Sequence, residues 1–85
     1  MAKTILYIVT APTGGKLIYY LTKEENLYGV GIKLKENGKE TFSAQNSLFY
    51  RKRRALRYLR LLAKETVYPI HLAEITEDFD FHRLL

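Results

Sequence analysis

A run of basic residues in the second half of the chain has the side chains best suited to binding another molecule. Residues 41–64 contain seven basic residues and no acidic one. On a helix over residues 44–64, four of the seven form a stripe opposite the apolar residues. Guanidinium groups in such a row suit phosphate groups, because they offer paired donors and release condensed counterions on binding. The predicted binding residues are this stripe and its neighbours: Tyr50, Arg51, Arg53, Arg54, Arg57, Arg60 and Lys64.

The same residues are also typical of a solvated helix face that has no partner. Residues 65–85 carry five acidic residues and one arginine. If this acidic segment folds back onto the helix, it neutralises the cations internally. If it lies elsewhere, the molecule is bipolar and its field attracts an anionic partner to the helix.

A metal site is the second chemistry that the spacing suggests. His71, Glu74, Asp78 and His82 recur at intervals of three, four and four, which places them on one side of a helix that runs that far. The chain has no cysteine to reinforce such a site, and a mixed set of histidines and carboxylates is not selective. We therefore predict no metal and interpret the histidines as surface or capping residues.

Catalysis has little support in the sequence. Residues 13–16 read Thr-Gly-Gly-Lys, but Leu17 and a strand follow where a phosphate-binding loop needs Ser or Thr and a helix. Ser43 and Ser47 are the only serines, and neither has a nucleophile elbow around it. A chain of 85 residues also encloses little pocket volume. We predict no catalytic residue, no cofactor and no enzymatic activity.

Composition indicates one ordinary folded domain over residues 1–85. The net charge is +5, with 47% hydrophobic and 27% charged residues, which excludes the composition of a disordered chain. The absence of cysteine excludes disulfides and cysteine metal centres. No apolar run reaches the length of a membrane span, and residues 1–9 lack the features of a signal peptide. We expect a cytoplasmic protein with no membrane partner.

The elements that position the basic stripe begin with strands. Residues 4–10, 16–22 and 27–35 are rich in β-branched and aromatic residues and are separated by Gly, Pro and Asn turns. In residues 27–35 apolar and polar positions alternate strictly, which predicts a strand buried on one side. We predict a three-residue loop after it with a bulge at Gly38, because this pairs Ile32 with Phe42 and directs both to the core.

The period changes to 3.6 at about Ala44, which predicts one long helix over residues 44–64 with Ser43 or Asn46 as N-cap. Its predicted core side consists of Leu48, Phe49, Ala55, Leu56, Leu59, Leu62 and Ala63. Beyond it, Pro69 favours the first turn of a short second helix, and a fifth strand through Ile70 and Leu72 is the alternative.

The predicted fold class is α+β: an antiparallel meander of three or four strands, one long helix packed on the sheet, and a short C-terminal helical element. Residues 16–22 and residues 39–43 are two candidates for an open sheet edge, through which two copies would pair as a homodimer.

Two segments resemble a known group of proteins. Residues 28–32, Tyr-Gly-Val-Gly-Ile, and residues 67–79, which contain a proline, a His-Leu pair and a Glu-Asp-Phe ending, resemble a family of small uncharacterised clostridial and related Firmicutes proteins, a domain of unknown function. The helix departs from that pattern because it is heavily basic. The resemblance implies a bacterial or phage source and structural roles for His71 and Asp78, and it implies no activity.

The sequence favours a small non-catalytic binding or regulatory protein. Its basic helix would contact a nucleic acid or a nucleoprotein. The alternative is a protein-protein inhibitor or adaptor, for example a phage-encoded protein of the anti-CRISPR kind, in which the arginines and exposed tyrosines contact an acidic protein surface.

Overall fold

The structure is a computed structural model that describes residues 2–78. This part of the chain contains four strands and two α-helices. The elements are β1 (Ala2–Thr10), β2 (Lys16–Glu24), β3 (Leu27–Glu36), β4 (Lys39–Phe49), α1 (Lys52–Lys64), a 3₁₀ turn (Pro69–His71) and α2 (Leu72–Asp78). The strands lie in the order β1-β2-β3-β4, each antiparallel to its neighbour. The predicted α+β class and antiparallel meander are confirmed. Of the two candidate edges, residues 16–22 lie in the inner strand β2, whereas residues 39–43 lie in the edge strand β4.

The hydrophobic core lies between one face of the sheet and the helices. Alternate residues of β2 and β3 point to this face, as the alternation in β3 predicts. Helix α1 covers them with one side of its surface. The fully buried members from the two layers include Leu17, Tyr19, Val30, Ile32, Ala55, Tyr58, Leu59 and Leu62. Each buried Leu or Ile contributes roughly 1.5–3 kcal/mol, so this contact fixes which side of α1 faces outward.

Two tyrosine hydroxyls attach the segment after α1 to the core. Tyr19 donates a hydrogen bond to the carbonyl oxygen of Val67 at 2.8 Å. The hydroxyls of Tyr58 and Thr76 are hydrogen-bonded at 2.8 Å, which joins α1 to α2. All of these residues are buried or nearly so, and such bonds satisfy polar groups that would otherwise be costly to bury.

The turn between β3 and β4 differs from the predicted one. Glu36 pairs with Lys39, so Asn37 and Gly38 alone form the turn, with φ of 51° and 75°. Positive φ at both positions is typical of a type I′ hairpin turn, which Asn-Gly favours. Ile32 is therefore opposite Ser43, and Phe42 lies on the face of the sheet away from the helices. The predicted three-residue loop is wrong because it assumed that every apolar side chain must point to the core.

The helix begins later than predicted. Residues 39–49 pair with β3, and α1 starts at Lys52, with Arg51 rather than Ser43 or Asn46 at the N-cap position. Leu48 and Phe49 share the spacing of the helix but belong to the strand. An irregular register near the end of β4 directs Phe49 into the core, where its ring meets that of Tyr58 edge to face at 5.9 Å. The "long" helix thus has 13 residues.

The short C-terminal helical element is confirmed through Asp78. Pro69 occupies the first turn of the 3₁₀ segment, which continues into α2 at Leu72. The alternative of a fifth strand through Ile70 and Leu72 is wrong. His82, the last residue of the spaced metal set, and Asp80, one of the five acidic residues of 65–85, lie outside the described residues.

Candidate functional site

The stripe of cations predicted from the sequence lies on the solvent side of α1. We call its four members the basic face. All four are exposed, and they lie on the opposite side of the helix from the residues that pack on the sheet. From first to last they span about 16 Å along the axis at 1.5 Å per residue. The basic face consists of Arg53, Arg57, Arg60 and Lys64.

The basic face has no carboxylate partner within the described residues. Among residues 2–78, the ion pairs within 4.0 Å join Lys33 and Lys35 to Glu40, and His71 to Glu74. Helix α2 lies against β4 and the 3₁₀ turn, and its carboxylates are exposed. Among residues 65–78, therefore, no carboxylate forms an ion pair with the basic face.

The N-terminus of α1 concentrates further cations where a helix tolerates them least. Arg51 and Lys52 are exposed there, Arg54 is half-buried, and the first turn has no acidic residue. The helix dipole disfavours each cation at this end by roughly 0.3–1 kcal/mol. No side chain caps the first turn either. Helix stability alone therefore does not account for the exposed cations Arg51 and Lys52 at this end.

Tyr50 immediately precedes this cluster. Its side chain is 77% exposed, far more than any core tyrosine, so a predicted binding residue is accessible. Tyr50 is thus an exposed aromatic residue that directly precedes the cations at the start of α1.

A second surface, which sequence reasoning missed, lies on the other side of the sheet. We call it the open face. The ring of Tyr20 covers Gly31, where an added Cβ would overlap the ring carbons. Phe42 stacks on Tyr20 with 5.5 Å between centroids and 5° between planes. A groove of about 480 Å³ runs along this face. The open face is lined by Lys3, Ile5, Ile18, Tyr20, Lys33, Lys35 and Phe42.

The open face had a signal in the sequence. The polar side of β3 contains Gly29 and Gly31 followed by Lys33 and Lys35, and glycine in a strand often marks a close approach by another group. The missing information was which ring occupies the space above Gly31. That depends on the register of β2, which brings Tyr20 opposite this glycine.

The hydroxyl of Tyr20 is buried without a hydrogen-bond partner among the described residues. Burial also raises the pKa of Tyr20 to about 12. Tyr19, on the core side of the same strand, has its pKa raised to about 12 by burial and by the nearby Tyr68. Within residues 2–78, therefore, the Tyr19 hydroxyl has a hydrogen-bond partner and the Tyr20 hydroxyl has none.

The metal set and the phosphate-binding loop that were weighed from the spacing and not predicted do not assemble within residues 2–78. No group of three or more potential metal ligands occurs there, and His71 Nδ1 lies 4.0 Å from Glu74 Oε2 at the surface. Residues 13–16 belong to a turn between β1 and β2, in which Gly14 has φ of 95° and donates to the carbonyl oxygen of Ala11. Over the same residues, no helix has the length and apolar character needed to cross a bilayer.

Comparison with known proteins identifies a family without an assigned activity. No curated protein and no solved structure gave a significant match to the chain. A family model does match, and it covers residues 7–80, from β1 to beyond α2. The chain therefore belongs to the family of unknown function DUF6514.

Proposed function

We propose that this protein is a non-catalytic nucleic-acid-binding protein that uses the basic face of α1 to contact phosphate groups, in free nucleic acid or in a nucleoprotein. The observation that carries the proposal is the set of four exposed cations with no carboxylate within 4.0 Å among residues 2–78. Three of the four are arginines, whose planar guanidinium groups donate paired hydrogen bonds to phosphate. We propose that the protein acts in the cytoplasm.

The rigidity of α1 supports this proposal. Its inner side is anchored by buried residues such as Leu59 and Leu62, and Tyr58 is hydrogen-bonded to Thr76. The Cα positions of the cations are thus fixed relative to one another, and only their side chains lose freedom on binding. Preorganisation of this kind lowers the entropic cost of association.

The test is a comparison of two double variants with the same loss of charge. Arg57→Ala/Arg60→Ala removes two cations of the basic face, and Lys23→Ala/Lys39→Ala removes two exposed cations from the ends of strands. Fluorescence anisotropy with a labelled 20-base-pair DNA duplex gives the affinity of each. We expect the arginine variant to bind about tenfold or more weaker than the lysine variant, because two charge-assisted contacts are lost. Equal affinities for the two variants would exclude the basic face as the binding surface.

The alternative, a protein-protein inhibitor or adaptor of the kind that phages encode, is favoured by exposed apolar residues near the helices. Tyr50 is 77% and Ile70 is 79% exposed, and exposed tyrosine beside arginine is typical of protein interfaces. Affinity capture from a nuclease-treated host lysate distinguishes the two functions. A partner that survives nuclease and is lost with Tyr50→Ala supports the inhibitor, whereas a partner lost on nuclease treatment supports nucleic-acid binding.

A further inference from the structure

The open face offers a flat aromatic surface on the side of the sheet away from the basic face. Tyr20 is almost wholly buried, because it lies on Gly31 and is covered by Phe42. Phe42 itself is 47% exposed. A ring held by another ring beneath it and exposed above provides a platform on which a second planar group can stack.

Positive charge surrounds this platform. The ammonium group of Lys3 lies over the rings of Phe42 and Tyr20, 5.0 and 5.7 Å from their centres, so a planar group that stacks on Phe42 must displace it. Lys33 and Lys35 approach from β3 and share one carboxylate, that of Glu40, at 3.5 and 4.0 Å. One carboxylate for three lysines leaves a net positive charge. No carboxylate lines the groove itself, so its lysines favour an occupant that carries negative charge.

The groove has the dimensions of a ligand site. Its volume of about 480 Å³ falls within the roughly 300–1,000 Å³ typical of small-molecule sites. A second copy of the chain is a poor occupant, because face-to-face contact would oppose the lysines of one copy to those of the other. A duplex is also a poor occupant, because its bases are stacked on one another and present no free ring face.

We propose that the open face binds a single-stranded nucleic-acid segment, with a base stacked on Phe42 and neighbouring phosphates on Lys3, Lys33 and Lys35. Each nucleotide of a single strand combines a flat ring with a negative charge, which matches the ring and the cations of this surface. This site is separate from the basic face and does not depend on the function proposed for it.

The test isolates the open face in protein that carries Arg57→Ala/Arg60→Ala. The probe is a fluorescently labelled octathymidylate, and anisotropy gives its affinity. In this background Phe42→Leu keeps an apolar side chain of similar size but removes the ring, and Phe42→Tyr keeps the ring. We expect Phe42→Leu to weaken binding at least about fivefold and Phe42→Tyr to change it less than about twofold. Lys3→Ala, a change at the exposed start of β1, should also weaken binding without affecting the fold.

Several outcomes would overturn the proposal. These are undetectable octathymidylate binding by the Arg57→Ala/Arg60→Ala protein, equal affinities of the two Phe42 variants, and a dimer in sedimentation velocity that Phe42→Leu dissociates. Loss of duplex binding in the arginine variant concerns the basic face alone, and loss of octathymidylate binding in Phe42→Leu concerns the open face alone. The two proposals therefore fail independently.

Discussion

The basic face and the open face are both cationic, but they differ in what else they contain. The basic face consists of four long, exposed side chains on one helix and has no aromatic ring among its members. The open face places a stacked pair of rings among three lysines, with Glu40 beside two of them. The basic face therefore offers positive charge without an aromatic ring, whereas the open face offers an apolar, aromatic surface with less charge. We expect this difference to separate salt-sensitive binding of a backbone from stacking of exposed bases.

Salt dependence should show the largest contrast between the two faces. Four phosphate contacts to a duplex give a slope of about 3.6 in log K against log salt, so affinity should fall about 150-fold from 50 to 200 mM. Three contacts to a single strand give a slope of about 2.1 and a fall of about 20-fold. Anisotropy titrations of duplex on the wild type and of octathymidylate on the Arg57→Ala/Arg60→Ala variant measure the two slopes. Equal slopes would show that the faces do not differ in this way.

Gly31→Ala should destroy the open face selectively. The new Cβ would overlap the ring of Tyr20, which must lift from the sheet and lose its stacking on Phe42. Overpacking of this kind costs about 2 kcal/mol of unfolding free energy, measurable by urea denaturation. Octathymidylate binding should be lost while duplex binding is retained. Unchanged stability would contradict the close packing of Tyr20 on Gly31.

Alkaline pH should destabilise the fold through tyrosines on both sides of β2. Burial raises the pKa of Tyr19 and of Tyr20 to about 12 from an ordinary value of 10.0. Below pH 10 both hydroxyls stay protonated in the folded and in the unfolded chain, so their ionisation does not lower the free energy of unfolding. Between pH 10 and 12 the unfolded chain ionises first, and the free energy of unfolding falls. Urea denaturation at pH 8, 10 and 11 tests this, and equal stability at all three values would contradict it.

Removal of the same hydroxyl group should have opposite effects on the two sides of β2. Tyr19→Phe leaves the carbonyl of Val67 without its hydrogen bond and should lower the free energy of unfolding by about 1 kcal/mol. Tyr20→Phe removes a buried hydroxyl that has no partner within residues 2–78 and should raise it by about 1 kcal/mol. Chemical denaturation of both variants at pH 7 gives the values. Destabilisation of similar size in both would indicate that the Tyr20 hydroxyl is satisfied in solution.

Lys52→Glu should have the smallest effect on stability, and the effect should be a stabilisation. An acidic residue in the first turn of α1 interacts favourably with the helix dipole, so thermal denaturation should show stabilisation by about 0.5 kcal/mol. Duplex affinity should fall, because a cation beside the basic face is replaced by an anion. A gain in both stability and affinity would contradict the view that these cations serve binding at a cost to the helix.

The sequence allowed the strands, the final helix and the basic face to be predicted, because each depends on local patterns. Alternation in residues 27–35 identified the side of β3 that is buried, and Pro69 identified the start of the last helical element. The spacing of Arg53, Arg57 and Arg60 identified the outward side of α1. The prediction of an uncharacterised family is also confirmed, whereas its clostridial source stays a prediction.

Two errors had a common physical origin. The turn at Asn37 and the helix start were both predicted from where apolar residues should go, which underestimated pairing between β3 and β4. Phe42 stacks on Tyr20 on the open face, where it stays 47% exposed, and Phe49 reaches the core from the end of a strand. Both placements depend on residues more than 8 positions away in the sequence, so local periodicity could not reveal them. The open face was missed for the same reason.

The separation of two nucleic-acid surfaces is tested most directly by nuclear magnetic resonance on ¹⁵N-labelled wild-type protein. Amide spectra are recorded during titration with the 20-base-pair duplex and, separately, with octathymidylate at low salt. We predict that the duplex shifts the amides of residues 51–64, and that octathymidylate shifts those of Gly31, Lys33 and Phe42. The absence of shifts with either ligand, or the same set of shifted amides with both, would contradict the account.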